Sequence, residues 1–500
     1  MRYAIAVFDI GMTNKKVAVY DDRLKALDSL SRRFEPLMVE GIETHDLKGI
    51  RAWLVETLRG FAARYPIRAI SISAHGASFV CLDAPGEPCV PCVFYTHEPG
   101  PDFHQRFYAL AGERSALQEA TGTPDFSALI NPAKGILFAR ERFAEEFAST
   151  ADILLFPQYF GHFLTGKKGA EPTYVGCHTY LWDWRSGDWS GVADRLGVRG
   201  MLPPRIAESW KTLGTLKPEI AEATGLGGDT IVTMGIHDSN ASLLPYLSGG
   251  GKGDFILNST GTWCVAMHPG ARYGFAKDEI GKVVFFNRAA TLQPVKTAIF
   301  LGGLEHERWS AAIEAASGSG GALSYSPEAI ARLAARADCF ILPEVVPGSG
   351  QFPGSAARAE GPDGSSLLED IRSGAATAPA FLADAPRAYA ALALSLALQT
   401  MVALERVGMG PDTEIFVEGG FRKNEAYLRL LADFCSPSTV FVTSIEEASS
   451  LGAAMLAKMA LDGCGLEELR DEATVEKTPV LGTGIGSLPE YRKAWQARLA

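Results

Sequence analysis

One short pattern occurs twice in this chain, about half its length apart, and it restricts the fold more than any other feature. Tyr3 to Phe8 is a β-rich run that reaches Asp9-Ile10-Gly11-Met12-Thr13-Asn14-Lys15-Lys16, after which Val17-Ala18-Val19-Tyr20 resumes the strand pattern. Asp254 to Asn258 leads in the same way into Ser259-Thr260-Gly261-Thr262, and Trp263 to Met267 follows. Each is a strand, a small polar tip with a glycine, and a second strand. One such hairpin is common, but two in corresponding places argue for two related lobes. The 500 residues leave room for both, since a domain takes roughly 100–200. Ser248-Gly249-Gly250-Gly251-Lys252-Gly253 lies between them and reads as a hinge or loop, dividing the chain into 1–248 and 249–500.

Both halves alternate strands and helices. In the first, Ile50, Trp53, Leu54, Leu58 and Phe61 mark a helical face, and Ala69 to Ser73 a strand. In the second, a helix from about Pro386 to Gly408 precedes a strand at Glu414 to Val417. A helix from about Asn424 to Cys435, a strand at Val440 to Thr443 and a helix from Glu447 to Leu461 follow. Such alternation predicts α/β lobes whose ligands sit at the strand-end loops. The Gly/Ser/Pro-rich stretch from Ser317 to Ser355 reads as peripheral. Ala388 to Leu404 is strongly apolar, but Ser395, Gln399 and Thr400 interrupt it, which predicts a buried helix and no membrane span. A net charge of −11 without a basic patch argues against nucleic acid or an anionic membrane as partner. Asp9 cuts the first apolar run too short for a signal peptide, and eight scattered cysteines fit reduced packing thiols, so a cytoplasmic protein is expected. Cys89 and Cys92 have metal-pair spacing, but no second pair completes a ligand set.

Four stretches can carry chemistry. The first tip offers Gly11, the Thr13 hydroxyl, the Asn14 amide and the cations of Lys15 and Lys16, a concave turn suited to phosphate oxygens, with Asp9 placed for a hydrated Mg²⁺. The plainer alternative is an ordinary hairpin. Ser259 to Thr262 repeats the tip without a cation. Glu418-Gly419-Gly420 to Asn424 joins a strand to a helix. Its glycines let a ribose or a base lie against the backbone, or Asn424 simply caps the helix. Gly235-Ile236-His237-Asp238-Ser239 ends a strand, so Asp238 is either a base for a hydroxyl nucleophile or a helix cap. A Walker A sequence is absent, and so is the Gly-x-Gly-x-x-Gly turn of a dinucleotide oxidoreductase.

Taken in order, Asp9-x-Gly11-x-Thr13-x-x-Lys16, Gly235-x-His237-Asp238, Ser259-Thr260-Gly261-Thr262-Trp263 and Gly419-Gly420 resemble the FGGY family of carbohydrate kinases. The likeness reaches to about residue 460 and is nearest the rhamnulokinase branch, through Phe79 to Asp83, Leu154 to Gly166, and His237-Asp238-Ser239-x-Ala241-Ser242. The resemblance implies two ribonuclease-H-like lobes, of the actin, sugar-kinase and heat-shock-ATPase type, with MgATP in the cleft between them. It implies Asp238 as general base and Gly76, His237 and Ser239 against the sugar, beside Asp238 itself. It puts Met12 to Lys16, Thr262, Gly419, Gly420 and Asn424 on the nucleotide, and Asp9 nearest the metal. A homodimer is the assembly it allows.

Two departures bear on the substrate. The segment Phe94-Tyr95-Thr96-His97-Glu98-Pro99 lacks the expected Arg and has His97 in place of an acid, and Ser78 stands where another acid is usual. His75 and His97 are therefore candidate sugar contacts or ordinary half-buried histidines. L-rhamnulose and L-fuculose are the first candidate substrates. Another polyol or a sugar acid is the runner-up, and an actin-like ATPase of the same fold is the alternative from a different class.

Overall fold

Ala4–Ile10 (β1) is apolar at nearly every position and buried on both faces, as the central strand of a helix-covered sheet must be. It belongs to a computed structural model that describes residues 1–250, 253–320 and 323–499. Gly251 and Lys252 of the expected hinge lie outside the described residues. Asn14–Asp21 (β2) returns antiparallel with Asp9 opposite Lys16, and Ala26–Arg33 (β3) extends the meander outward. Ile67–Ala74 (β4) lies parallel on the other side of β1. Thr212–Thr215 (β5), Ile231–Thr233 (β6) and Ile236–His237 (β7) complete the sheet in the order β5-β6-β4-β1-β2-β3, with β7 on the far end of β4.

The second half repeats the plan. Phe255–Thr260 (β8) pairs antiparallel with Cys264–Pro269 (β9). Val284–Arg288 (β10) and Pro294–Phe300 (β11) continue the meander outward. Glu414–Gly419 (β12) and Thr439–Thr443 (β13) follow β8 in parallel, and Lys477–Pro479 (β14) closes the edge. The arrangement β11-β9-β8-β12-β13 mirrors β3-β2-β1-β4-β6: three antiparallel strands, then two parallel ones. This is the expected pair of ribonuclease-H-like lobes.

The helices follow their apolar spacing. Leu47–Ala62 (α1) buries Ile50, Trp53, Leu54, Leu58 and Phe61, and Asp46 caps it by accepting from the Gly49 N–H at 2.8 Å. Asp238–Pro245 (α2) closes the first half. Ala385–Val407 (α3), long and apolar enough to span a membrane, is almost wholly buried as the spine of the second lobe. Glu425–Cys435 (α4) and Ala448–Asp462 (α5) follow. Although α5 comes from the second half, Ala453, Ala454 and Ala457 pack with Ile5, Val7 and Ala69 of the first sheet. It also crosses α2 so closely that a Cβ on Gly452 would stand 1.9 Å from the Ala241 carbonyl oxygen.

The stretch expected to be peripheral is not. Its helix Pro327–Arg336 buries Ile330 and Leu333, and its strand Phe340–Leu342 is fully buried. Tyr491 and Trp495, near the C-terminus, cover that strand and donate hydrogen bonds to the carbonyls of Cys339 and Ile341, each at 3.0 Å. Gly/Ser/Pro composition marked the loops here, not the depth of the strand between them. Gly321 and Ala322 lie outside the described residues.

Candidate active site

The last bridge of β7 is His237, and α2 begins at the next residue, so the chain turns at the cleft and presents Asp238 on the first helical turn. The Asp238 carboxylate is steered locally. Its Oδ1 accepts from the Ser239 N–H at 2.6 Å and from the Ser239 hydroxyl at 3.3 Å, and lies 3.3 Å from His237 Nε2. A third of the side chain is open, and it opens into cavities walled by protein. Loss of water therefore outweighs the hydrogen bonds and pushes its pKa up to about 6. Two cavities share Asp238 and Ser239, one on each side.

The first cavity, about 210 Å³, lies between the lobes. Tyr95, Phe126, Ile130 and Ala77 line it from the first lobe, and Trp263, Val265, Phe285 and Ile299 from the second. Its polar groups are mostly uncharged. Burial holds His75, His178 and His237 neutral, with pKa values lowered to about 3. His75 points Nδ1 at the Gly76 carbonyl, 2.8 Å away, which leaves Nε2 buried without a partner, and Asn287 Oδ1 is in the same condition. Such atoms cost free energy until a ligand satisfies them. Gly76 belongs here for a steric reason: a Cβ would stand 2.9 Å from Nε2 of both His178 and His237. His97 is not brought to this cavity. Its ring packs on Phe138 at 4.9 Å, and Tyr95 is the residue of that segment that faces inward. Ser78 is also absent from the lining.

The second cavity, about 230 Å³, is lined by Ser242, Ser259, Glu418, Gly419 and the segment Ile445 to Ser449. Gly419 has φ +81°, and a Cβ on it would lie 2.0 Å from the Thr260 carbonyl oxygen, so only glycine lets β8 and β12 end this close together. Gly420 is less constrained, with 3.8 Å to the same atom. Thr262 sits on the tip between β8 and β9, and its carbonyl accepts from the Gly303 N–H at 3.2 Å. Asn424 caps α4, accepting from the Tyr427 N–H at 3.1 Å, so its carboxamide oxygen serves the helix.

The first tip differs from the reading that gave it two cations for phosphate. Lys15 is 1% exposed and donates to the Met12 carbonyl at 2.6 Å, holding the tip from beneath, and burial lowers its pKa to about 8. Lys16 is paired with Glu447 at 2.5 Å. Strand alternation explains the outcome, because successive side chains on β2 must face opposite sides of the sheet. Met12 and Thr13 remain half-buried on the turn, and Asn14 is exposed at the start of β2. Asp9 lies at the strand end, its Oδ2 accepting from the Ser449 hydroxyl at 2.7 Å. Burial, with Asp238 and Glu447 nearby, pushes its pKa up to about 6.

Several contributors escaped the sequence reading. Glu418 is a buried carboxyl that accepts from Tyr246 at 3.1 Å, with burial raising its pKa to about 7. Gly302 and Gly303 support the second tip. A Cβ on Gly303 would lie 2.1 Å from the Gly261 carbonyl oxygen, and their paired glycines at a helix start echo Gly419-Gly420. Cys177 and His178 join His237, yet nothing in the sequence links them to a residue almost sixty positions on. Cys89 and Cys92 act as packing thiols, directed at the carbonyls of Cys81 (3.5 Å) and Phe79 (3.2 Å).

Residues 4–245 match the N-terminal domain model of the FGGY family of carbohydrate kinases, and residues 252–464 match the carbohydrate kinase FGGY C-terminal domain. The chain belongs to the FGGY family of carbohydrate kinases. It is similar to a rhamnulokinase of Enterococcus faecalis, 31% identical over 25% of each chain. It is also similar to a rhamnulokinase of Halalkalibacterium halodurans, 25% identical over 53% of this chain and 55% of that one. The chain thus matches a quarter to about half the length of these curated relatives. The crystal structure of a carbohydrate kinase from Novosphingobium aromaticivorans superposes with a TM-score of 0.80 at 27% identity, covering 99% of this chain and 98% of that one.

Proposed function

We propose that this protein transfers the γ-phosphoryl group of ATP to a hydroxyl of a neutral ketose or deoxyketose, with L-rhamnulose and L-fuculose as first candidates. The observation that carries the reading is the position of Asp238, one carboxylate shared by two cavities of opposite character. The lobes, divided near residue 248, supply both walls of each.

In this reading the sugar occupies the aromatic and imidazole side. Its hydroxyls meet His75 Nε2 and Asn287 Oδ1, and an apolar terminus packs on Phe126, Phe285 and Ile299. Asp238 takes the proton of the reacting hydroxyl. With Oδ1 held by Ser239, Oδ2 is the oxygen free to accept it. A carboxylate with a pKa near 6 is ionised at neutral pH, yet more basic than an ordinary aspartate, as a general base should be. The triphosphate enters along the Gly419 side, where Met12 to Asn14 and Thr262 offer backbone and hydroxyl donors. Asp9 fits a hydrated Mg²⁺: it is an oxygen donor, buried among other acids and short of a counter-charge. When bound, that ion supplies neutralisation of the phosphate oxygens. Enclosure by both lobes excludes water as a competing acceptor.

A sugar acid is the weaker reading, because no Lys or Arg stands among the described residues lining the first cavity to meet its carboxylate. The test is ADP release across a panel of ketoses, polyols and aldonic acids, with mass spectrometry of the product. Sugar-stimulated turnover on a neutral ketose is expected. Slow hydrolysis indifferent to every sugar would instead favour an actin-like ATPase.

A further inference from the structure

Cys177, His178 and His237 stand together on the floor of the first cavity, and phosphoryl transfer gives the thiol no task. The Cys177 sulfur, a ring nitrogen of His178 and one of His237 all lie within 4.8 Å of one another, and Cys177 Sγ is 3.8 Å from His237 Nε2. The two imidazoles converge: the point where Gly76 lacks a Cβ is 2.9 Å from both Nε2 atoms. Asp238 Oδ1, 3.3 Å from His237 Nε2, borders the same spot. We propose that these groups form a site for a divalent transition-metal ion of borderline softness, Zn²⁺ above all, which closes the sugar cavity when filled.

The donor set selects the ion. One sulfur, two imidazole nitrogens and one carboxylate oxygen match the tetrahedral preference of zinc, whereas Mg²⁺ prefers oxygen alone. Zinc bonds of about 2.0–2.3 Å put tetrahedral ligand atoms about 3.3–3.8 Å apart, so the sulfur and the two imidazole nitrogens, now within 4.8 Å of one another, have to draw in by about 1–1.5 Å at most, with Asp238 joining them from beside His237. The outer partners already suit metal binding. His178 Nδ1 faces the Ile130 carbonyl at 3.1 Å, which fixes the proton there and leaves the Nε2 lone pair free. His237 Nδ1 lies 3.1 Å from Asn240 Nδ2, and the Oδ1 of the same carboxamide has no partner, so the amide is free to turn over. With that oxygen turned to the ring, Nδ1–H donates to it and Nε2 is free as well. His178 is also held at φ +43°, a conformation a non-glycine residue keeps only where its surroundings impose it.

Binding would release the thiol proton of Cys177 to solution, since the thiolate is the ligand. An ion there would also occupy the carboxylate and the space a sugar needs. Inhibition competitive with the sugar, and not with ATP, is therefore expected. That consequence rests on the proposed kinase reading, while the binding does not.

The experiment is a Co²⁺ titration of the full chain without Mg²⁺ or sugar, followed by absorption. The expected result is one equivalent bound, a thiolate-to-cobalt charge-transfer band in the near ultraviolet and intense tetrahedral bands in the visible, all displaced by Zn²⁺. Cys177→Ser, an isosteric change, should abolish the near-ultraviolet band while circular dichroism shows the fold retained. His178→Ala should weaken Co²⁺ binding at least tenfold. Absence of the charge-transfer band in the wild-type protein, or its persistence in Cys177→Ser, would overturn the site. A band dependent on Cys177 with Zn²⁺ leaving the apparent KM for sugar unchanged would uphold the site and count against the sugar's placement.

Discussion

The two cavities that meet at Asp238 are nearly equal in volume and opposite in chemistry. The one toward Gly76 is walled by rings and neutral imidazoles, and Asp238 is the sole carboxylate among the described residues that line it. The one toward Gly419 gathers Glu418, Glu446 and Glu447 around the same aspartate, with Asp9 close by, and no Lys or Arg lines it among the described residues. A neutral hydroxylated ligand can enter the first without a charge partner. A triphosphate cannot enter the second unless cations come with it. The proposed reading assigns the sides by this difference, and the lysines of the first tip leave it uncompensated: one supports a turn, the other ties Glu447.

The sharpest break in this comparison comes from the shared residue. Asp238→Asn should lower kcat on the order of 10²–10⁴-fold, the usual reach of a general base, while calorimetry shows ATP still binding. Retention of near wild-type turnover would remove Asp238 from the chemistry. Next in size, Gly76→Ala and Gly419→Ala should separate the sides. The first should raise KM for sugar by on the order of 10-fold or more with little change for ATP, because its methyl collides with His178 and His237. The second should do the reverse, and it should also lower Tm, since overpacking at a backbone contact costs about 1–3 kcal/mol.

A third test uses pH. A general base works deprotonated, and the Asp238 pKa is raised to about 6, so under the proposed reading kcat/KM for sugar should fall about tenfold per unit below pH 6 and stay level above it. The three cavity histidines are held neutral down to about 3 and should add no further limb between pH 5 and 8. A limb near 7 in the pH-rate profile that persists in Glu418→Gln, which removes the other group raised to about 7, would show that one of them titrates in the site. The smallest effect is expected at His97: steady-state kinetics of His97→Ala should differ less than about threefold from wild type, because the ring rests on Phe138 outside the cavity.

Much of this was legible in the sequence because it is local. The tips, Gly419 and the strand-to-helix turn at Asp238 are short-range patterns whose backbone demands appear in residue type. What stayed hidden depends on distance along the chain. His178 meets His237, and Ser449 meets Asp9, only once the sheets and α5 are assembled. The burial of Phe340 to Leu342 was masked by the loops beside it. Lys15 and Lys16 point apart, one beneath the tip and one to Glu447, for a simpler cause: adjacent residues on a strand cannot serve the same face.

The seating of α5 on the opposite sheet has a consequence for anyone dissecting the molecule. Cut after residue 248, the amino-terminal fragment would lose the alanine-lined cover of Ile5, Val7 and Ala69, leaving a greasy seam exposed, while the carboxyl-terminal fragment would carry an orphaned helix with the matching stripe. Neither piece is a self-sufficient cassette, and complementation of the two in trans should proceed through that seam.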